Sequence, residues 1–234
     1  MTDRDDASAT TAGAWGQAVA AVAVVGALGA GLWALGETEN TSSERAPQAA
    51  ACSEEEPEER QAEDARRLSG AQLCAVLNRP DLAALLGTPG ELAQSAGGGD
   101  GSFGTGSNEI ATPSARVEFD TYTVTLTATY DDLPVDGYAT LLGPDAHRRT
   151  VLERPAVLYS QRTISIGFRL DGSDAQADSG VPARVVSVAQ DARDRGGSFE
   201  LAVWRSDGVV PEDAVLLRVA ERVLPTIPGW DAAG

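Results

Sequence analysis

The sequence predicts an α+β domain, an antiparallel sheet packed with helices, preceded by one transmembrane helix. Three observations carry that reading. An uncharged, apolar run occupies Ala14–Leu35. Apolar residues alternate at period two from Val117 onward. Helical start and stop signals flank the alternating region, near Ser69 and after Pro211.

The 234 residues leave room for one ordinary domain plus accessories. The net charge is -17, from 35 acidic and 18 basic residues. Such a chain repels phosphate backbones, so nucleic acid is not an expected partner. Every basic residue is arginine, which excludes Schiff-base and P-loop lysine chemistry. With one histidine and two cysteines, a His-based or Cys₄ metal cage cannot be built from one chain. No metal or other cofactor is expected.

The run Ala14–Leu35 spans roughly 33 Å as a helix, about one hydrocarbon core. Trp15 and Trp33 lie near its ends, where amphipathic rings favour the headgroups. Residues 1–13 are then a cytoplasmic tail, 14–36 the single-pass span, and the bulk of the chain lies outside the cell membrane. A cleaved signal peptide competes with this reading, through Ala34-Leu35-Gly36, but the acidic start Met-Thr-Asp-Arg-Asp-Asp opposes it. Ala23, Ala27 and Gly31 have the small-residue spacing that permits helix pairing and self-association.

Residues 37–65 read as an acidic, disordered tether. Ten carboxylates against two arginines in 37–64, with no strong apolar residue, leave nothing to offset the ordering entropy. The displayed domain is then 66–234. Ser69 and Gln72 have capping-box spacing, and Leu68, Leu73, Val76 and Leu77 form one apolar face. Pro80 suits the first turn of a second short helix, Asp81 to Leu86, ended by Gly87. Residues 93–114 hold Gly97-Gly98-Gly99 and Gly104-Thr105-Gly106 and read as a flexible surface loop.

Strands follow. Val117 and Phe119 alternate, then Tyr122, Val124, Leu126 and Ala128 on the shifted parity, with a bulge or tight turn near Asp120-Thr121. Threonines 121, 123, 125, 127 and 129 occupy the other face, as on a half-solvated antiparallel sheet. Val151–Tyr159 and Thr163–Leu170 read as two strands separated by Ser160-Gln161-Arg162. Val181–Ala189 and Phe199–Trp204 read as two more, joined through a hairpin at Asp191–Gly197. A closing helix follows Pro211-Glu212-Asp213, with Val215, Leu216, Val219, Val223 and Leu224 as its buried stripe.

The segment Leu68–Leu77 with Pro80–Gly87, and the ending Ala220–Pro228, resemble an uncharacterised actinobacterial family of membrane- or lipid-anchored surface proteins. That resemblance implies a PsbP-like α/β sandwich and brings no activity with it. The family's usual anchor is a lipid-modified cysteine. Here Cys52 lies well beyond Leu35, and an apolar span stands in its place.

Catalytic constellations are not visible. His147 has no Gly-x-Ser-x-Gly elbow to serve, and no carboxylate pair stands out among 35 acids. Asp131-Asp132 reads as turn chemistry. His147, Arg148 and Arg149 form the densest basic spot, a candidate site for an anionic ligand; Arg193 and Arg195 form a second spot, diluted by acids. Cys52 and Cys74 are a candidate disulfide if the domain lies outside, with a buried thiol at Cys74 as the competing reading. The expected function is a non-enzymatic module that binds a ligand or protein partner at the cell envelope. An envelope enzyme built on carboxylates and an accessory subunit of a membrane complex are the alternatives.

Overall fold

The computed structural model describes residues 48–53, 67–106, 109–167 and 176–230, with side chains omitted at 165–167 and 176–178. Contacts divide the chain into two units, Met1–Gln48 and Ala49–Gly234. All that follows concerns the second. The run Ala14–Leu35, and with it the expected membrane span, lies outside the described residues. Among the described residues no helix is long and apolar enough to cross a membrane.

Helix α1 (Gly70–Leu77) begins at its capping box. The Ser69 amide donates to Gln72 Oε1 at 2.8 Å, and the Gln72 amide donates to Ser69 Oγ at 3.0 Å. A third free amide, Gly70 N, donates to Asp100 Oδ1 at 2.6 Å. Helix α2 (Leu82–Leu86) stops at Gly87, whose φ of 89° favours glycine.

One seven-stranded sheet follows. Its strands are β1 (Ser95–Gly99), β4 (Ser114–Glu118), β5 (Tyr122–Thr129), β6 (His147–Val151), β7 (Arg154–Gly167), β8 (Gln176–Ala189) and β9 (Ser198–Arg205). They lie in the order β1-β4-β5-β9-β8-β7-β6, and every neighbouring pair is antiparallel. Strand β9 therefore joins two halves that the chain builds separately. A small ribbon, β2 (Ser102–Phe103) with β3 (Ile110–Ala111), stands apart. Helix α3 (Val135–Tyr138) precedes β6, and α4 (Asp213–Val223) closes the fold, running on into a 3₁₀ turn at Leu224–Thr226. The α+β class is therefore the observed one.

The sheet has two unlike faces. On one, Val117, Val124, Leu126, Leu158, Leu201 and Val203 meet α1 and α4 through Leu73, Leu77, Leu216, Val219 and Val223, all fully buried. This is the main core, and full burial of each such side chain stabilises by about 1.5–3 kcal/mol. On the other face α3 covers only part of the sheet. Val135 and Ala139 pack on Val157, Tyr159, Val185 and Ala202. Thr123, Thr125, Thr127 and Thr129 on β5 stay half-buried on that side. The tight turn between β4 and β5 is closed by Phe119 N donating to the Tyr122 carbonyl at 2.7 Å.

Three expectations change. The glycine-rich stretch 93–114 is not simply a loop, because Ser95–Gly99 pairs along β4 as an edge strand. Its glycines are there for close approach. A Cβ on Gly98 would lie 2.0 Å from the Gly70 carbonyl oxygen, and one on Gly70 would lie 2.2 Å from Gly99 N. Residues without side chains carry no alternation, so the strand was invisible to a hydrophobic pattern.

The second change concerns Val151–Leu170. Val151 ends β6, and β7 runs unbroken from Arg154 through Ser160-Gln161-Arg162 to Gly167, with one register shift between Arg162 and Ile164. The turn between β6 and β7 is Leu152-Glu153, with φ of 50° and 64°. That is a hairpin turn of the kind glycine and asparagine favour, and without either residue it sent no turn signal.

The third is the domain boundary, expected at 66. The Ala50 amide donates to the Ala93 carbonyl at 2.8 Å, and the Ser53 amide donates to that of Ala96 at 3.3 Å. Asn78 Nδ2 reaches the Ala50 carbonyl at 2.8 Å. Residues 50–53 thus lie beside the start of β1, inside the expected tether, and Cys52 is disulfide-bonded to Cys74 on α1.

Candidate functional site

Strand register assembles the second sheet face. One row across β5, β9, β8 and β7 is Thr125, Ala202, Val185, Tyr159, and the next is Thr127, Glu200, Ser187, Val157. Where α3 does not reach, two adjoining depressions of about 480 and 530 Å³ share Arg116 and Thr125. The first is walled by Gly97, Gly98 and Gly99, and the second by Trp204, Gln161 and Arg162. The charge there is unlike the rest of the chain. Arg116 and Arg162 line the trough and no carboxylate does. The Arg116 guanidinium lies 5.2 Å from the Trp204 ring centroid and also pairs with Glu118. Arg162 Nη1 donates to the Gly180 carbonyl at 3.0 Å.

Beside the trough, between the sheet and α3, lies a cavity of about 140 Å³. Thr129, Asp131, Tyr138, Ser187, Ser198 and Glu200 line it. Tyr159 donates its hydroxyl to Glu200 Oε2 at 2.6 Å. Burial raises the Glu200 pKa, and the Tyr159 hydrogen bond opposes that rise. The Tyr159 phenol is pushed up in turn, first by burial and then by the Glu200 charge. Asp131 Oδ1 accepts from Leu133 N at 3.3 Å and from Gly197 N at 3.2 Å, so the expected turn chemistry also ties the turn to the β8–β9 hairpin.

The basic spot His147, Arg148, Arg149 does not form one site. All three lie exposed on the edge strand β6, where alternation sends Arg148 to one face and its neighbours to the other. Arg148 is engaged by Asp136 through its carboxylate and its carbonyl, the latter at 3.1 Å. Arg195 pairs with Asp191 at 3.3 Å. Sequence reasoning missed Glu200, Tyr159 and Ser187. One signal was present: Glu200 shares its strand parity with Ala202 and Trp204, which places a carboxylate on an apolar face. Among the described residues no cluster of three or more His, Cys, Asp or Glu could hold a metal ion.

A family model matches residues 9–145, more than half of the chain. The chain belongs to that family, DUF6215, a family of unknown function. The DUF6215 match takes in the apolar run, the acidic segment and the chain through α3, and it ends before β6. Arg116, Thr125 and Thr127 fall inside it, whereas Arg162, Glu200 and Trp204 fall outside. No curated protein and no solved structure matches the chain.

Proposed function

We propose that the protein is a single-pass, membrane-anchored binding module that displays its domain at the cell envelope and holds an anionic, hydroxyl-rich ligand across the open sheet face. One observation carries the ligand class: in a chain of net charge -17, the charged side chains lining the trough are Arg116 and Arg162, and the one carboxylate at its edge, Glu118, is paired to Arg116. The threonine hydroxyls and Gln161 supply neutral hydrogen bonds, and the Trp204 indole offers an apolar edge. A wall polymer with acidic groups fits this lining. The uncharged Ala14–Leu35 run with Trp15 and Trp33 supports the anchor, and the Cys52–Cys74 bridge fits an oxidising compartment outside. The antiparallel sheet with helices on both faces is consistent with the PsbP-like sandwich and actinobacterial surface family that the sequence resembles.

The test is co-sedimentation of the purified protein with an anionic wall polysaccharide. Binding should weaken as salt rises and should drop at least tenfold in Arg116→Ala and in Arg162→Ala. Equal binding by wild type and both variants would remove the trough from consideration. Retention of the full-length chain in carbonate-washed membranes tests the anchor, and a shorter soluble form beginning near Glu37 would show a cleaved signal instead.

A further inference from the structure

We infer that the cavity beneath α3 is a binding site for a small primary alkylammonium group, held by Glu200. This stands independently of the trough and its ligand. Four features of the cavity select that chemistry.

The first is an open acceptor. Glu200 Oε2 takes the Tyr159 hydroxyl, and among the described residues nothing donates to Oε1. The second is the hydroxyl lining. Ser187 is only 1% exposed, stands opposite Glu200 in the sheet, and has no side-chain hydrogen bond among the described residues. Thr129 and Ser198 add two further hydroxyl oxygens. An ammonium brings three donors and no acceptor, which matches a carboxylate oxygen surrounded by hydroxyls. The third is the apolar wall of Leu133 and Val135, which suits a short methylene chain. The fourth is charge. Asp131 on the same lining repels anions, and no arginine lines the cavity.

Two rival cations fit less well. A guanidinium prefers both oxygens of a carboxylate, and Tyr159 already occupies one. A divalent ion is held mainly by carboxylate and carbonyl oxygens, and among the described residues no group of three His, Cys, Asp or Glu gathers to hold one. Nor can the chain supply the group from a side chain, since it contains no lysine. Burial disfavours the ionised form of Glu200, so an entering ammonium would hold that carboxylate charged.

The experiment is calorimetric titration of the full chain in detergent micelles with n-propylammonium, and separately with propan-1-ol, propionate and methylguanidinium. Saturable binding by n-propylammonium, weaker binding by methylguanidinium and none by the others is expected. Glu200→Gln should weaken n-propylammonium binding at least tenfold, and Ser187→Ala should weaken it less. Should Glu200→Gln fail to fold, the wild type still decides. Its affinity should fall as acid protonates Glu200, and an affinity unchanged between about pH 8 and pH 4 would overturn the site. Equal response to the alcohol, tighter binding of methylguanidinium, or full binding by a folded Glu200→Gln variant would also overturn it.

Discussion

Arg154 is an arginine in the core, 4% exposed, with its guanidinium 3.5 Å from the Trp230 ring centroid. It donates to the carbonyls of Gln190 and Trp230 and so fastens the end of the chain to β7. Arg154→Ala removes the donors and leaves both carbonyls to find others, which should cost about 2–4 kcal/mol in denaturant unfolding. An unchanged midpoint would mean that the C-terminal turn contributes little. Glu200 makes a prediction of opposite character. Its folded pKa is raised, so the stability it contributes is fully present below the ordinary glutamate value and is lost as pH rises through the folded one. Tyr159, Tyr138 and Asp131 are the titratable groups around it, and none is cationic. Glu200→Gln should therefore gain stability relative to wild type as pH rises from the ordinary glutamate value through the raised folded one. Asp81, held below its usual range chiefly by its hydrogen bond from Arg79, loses stability as pH falls, but it does so in both proteins and cancels from the difference. A constant difference across the pH series would refute the burial account of Glu200.

Contact between α1 and β1 is backbone against backbone, and no side chain larger than hydrogen fits there. Gly98→Ala would drive a methyl group into the Gly70 carbonyl, so one element must move away from the other. The expected cost is about 1–3 kcal/mol, read as a lowered thermal midpoint. Gly87→Ala makes the contrast. Its Cβ meets nothing, and only the left-handed φ of 89° is strained, so the loss should stay near 1 kcal/mol. If both variants melted alike, close approach would not be what these glycines provide. The same element explains why Cys52 sits where it does. Residues 50–53 hydrogen-bond to Ala93 and Ala96 at the start of β1, and the bridge to Cys74 ties them to α1.

At the scale of the molecule, the independently folding unit should begin near Ala49 rather than at 66. A fragment of residues 49–234 should melt at a higher temperature than one of 66–234, and reduction should remove most of the difference. Closing 22 residues contributes about 3 kcal/mol on the chain-entropy account. Equal midpoints would return residues 50–53 to the tether. The α+β class, both capped helices, the β5 alternation and the closing helix with its buried stripe were legible in the sequence, because each depends on spacing within one element: 3.6 residues per turn, two per pleat, or a cap three residues from its partner. The missing lysine likewise excludes Schiff-base and P-loop lysine chemistry without any coordinates. What spacing cannot carry is pairing between distant segments. That β9 lies between β5 and β8, that glycines 97–99 form an edge strand, and that Leu152-Glu153 is a hairpin turn are decided by which surfaces pack. The basic spot at 147–149 was an artefact of adjacency in sequence, since neighbours on a strand face opposite ways. Glu200, Ser187 and Tyr159 come together only because three strands align in register beneath α3. The cavity that Glu200 and Ser187 line is a property of the folded sheet, set by side chains that are contiguous in space and far apart along the chain.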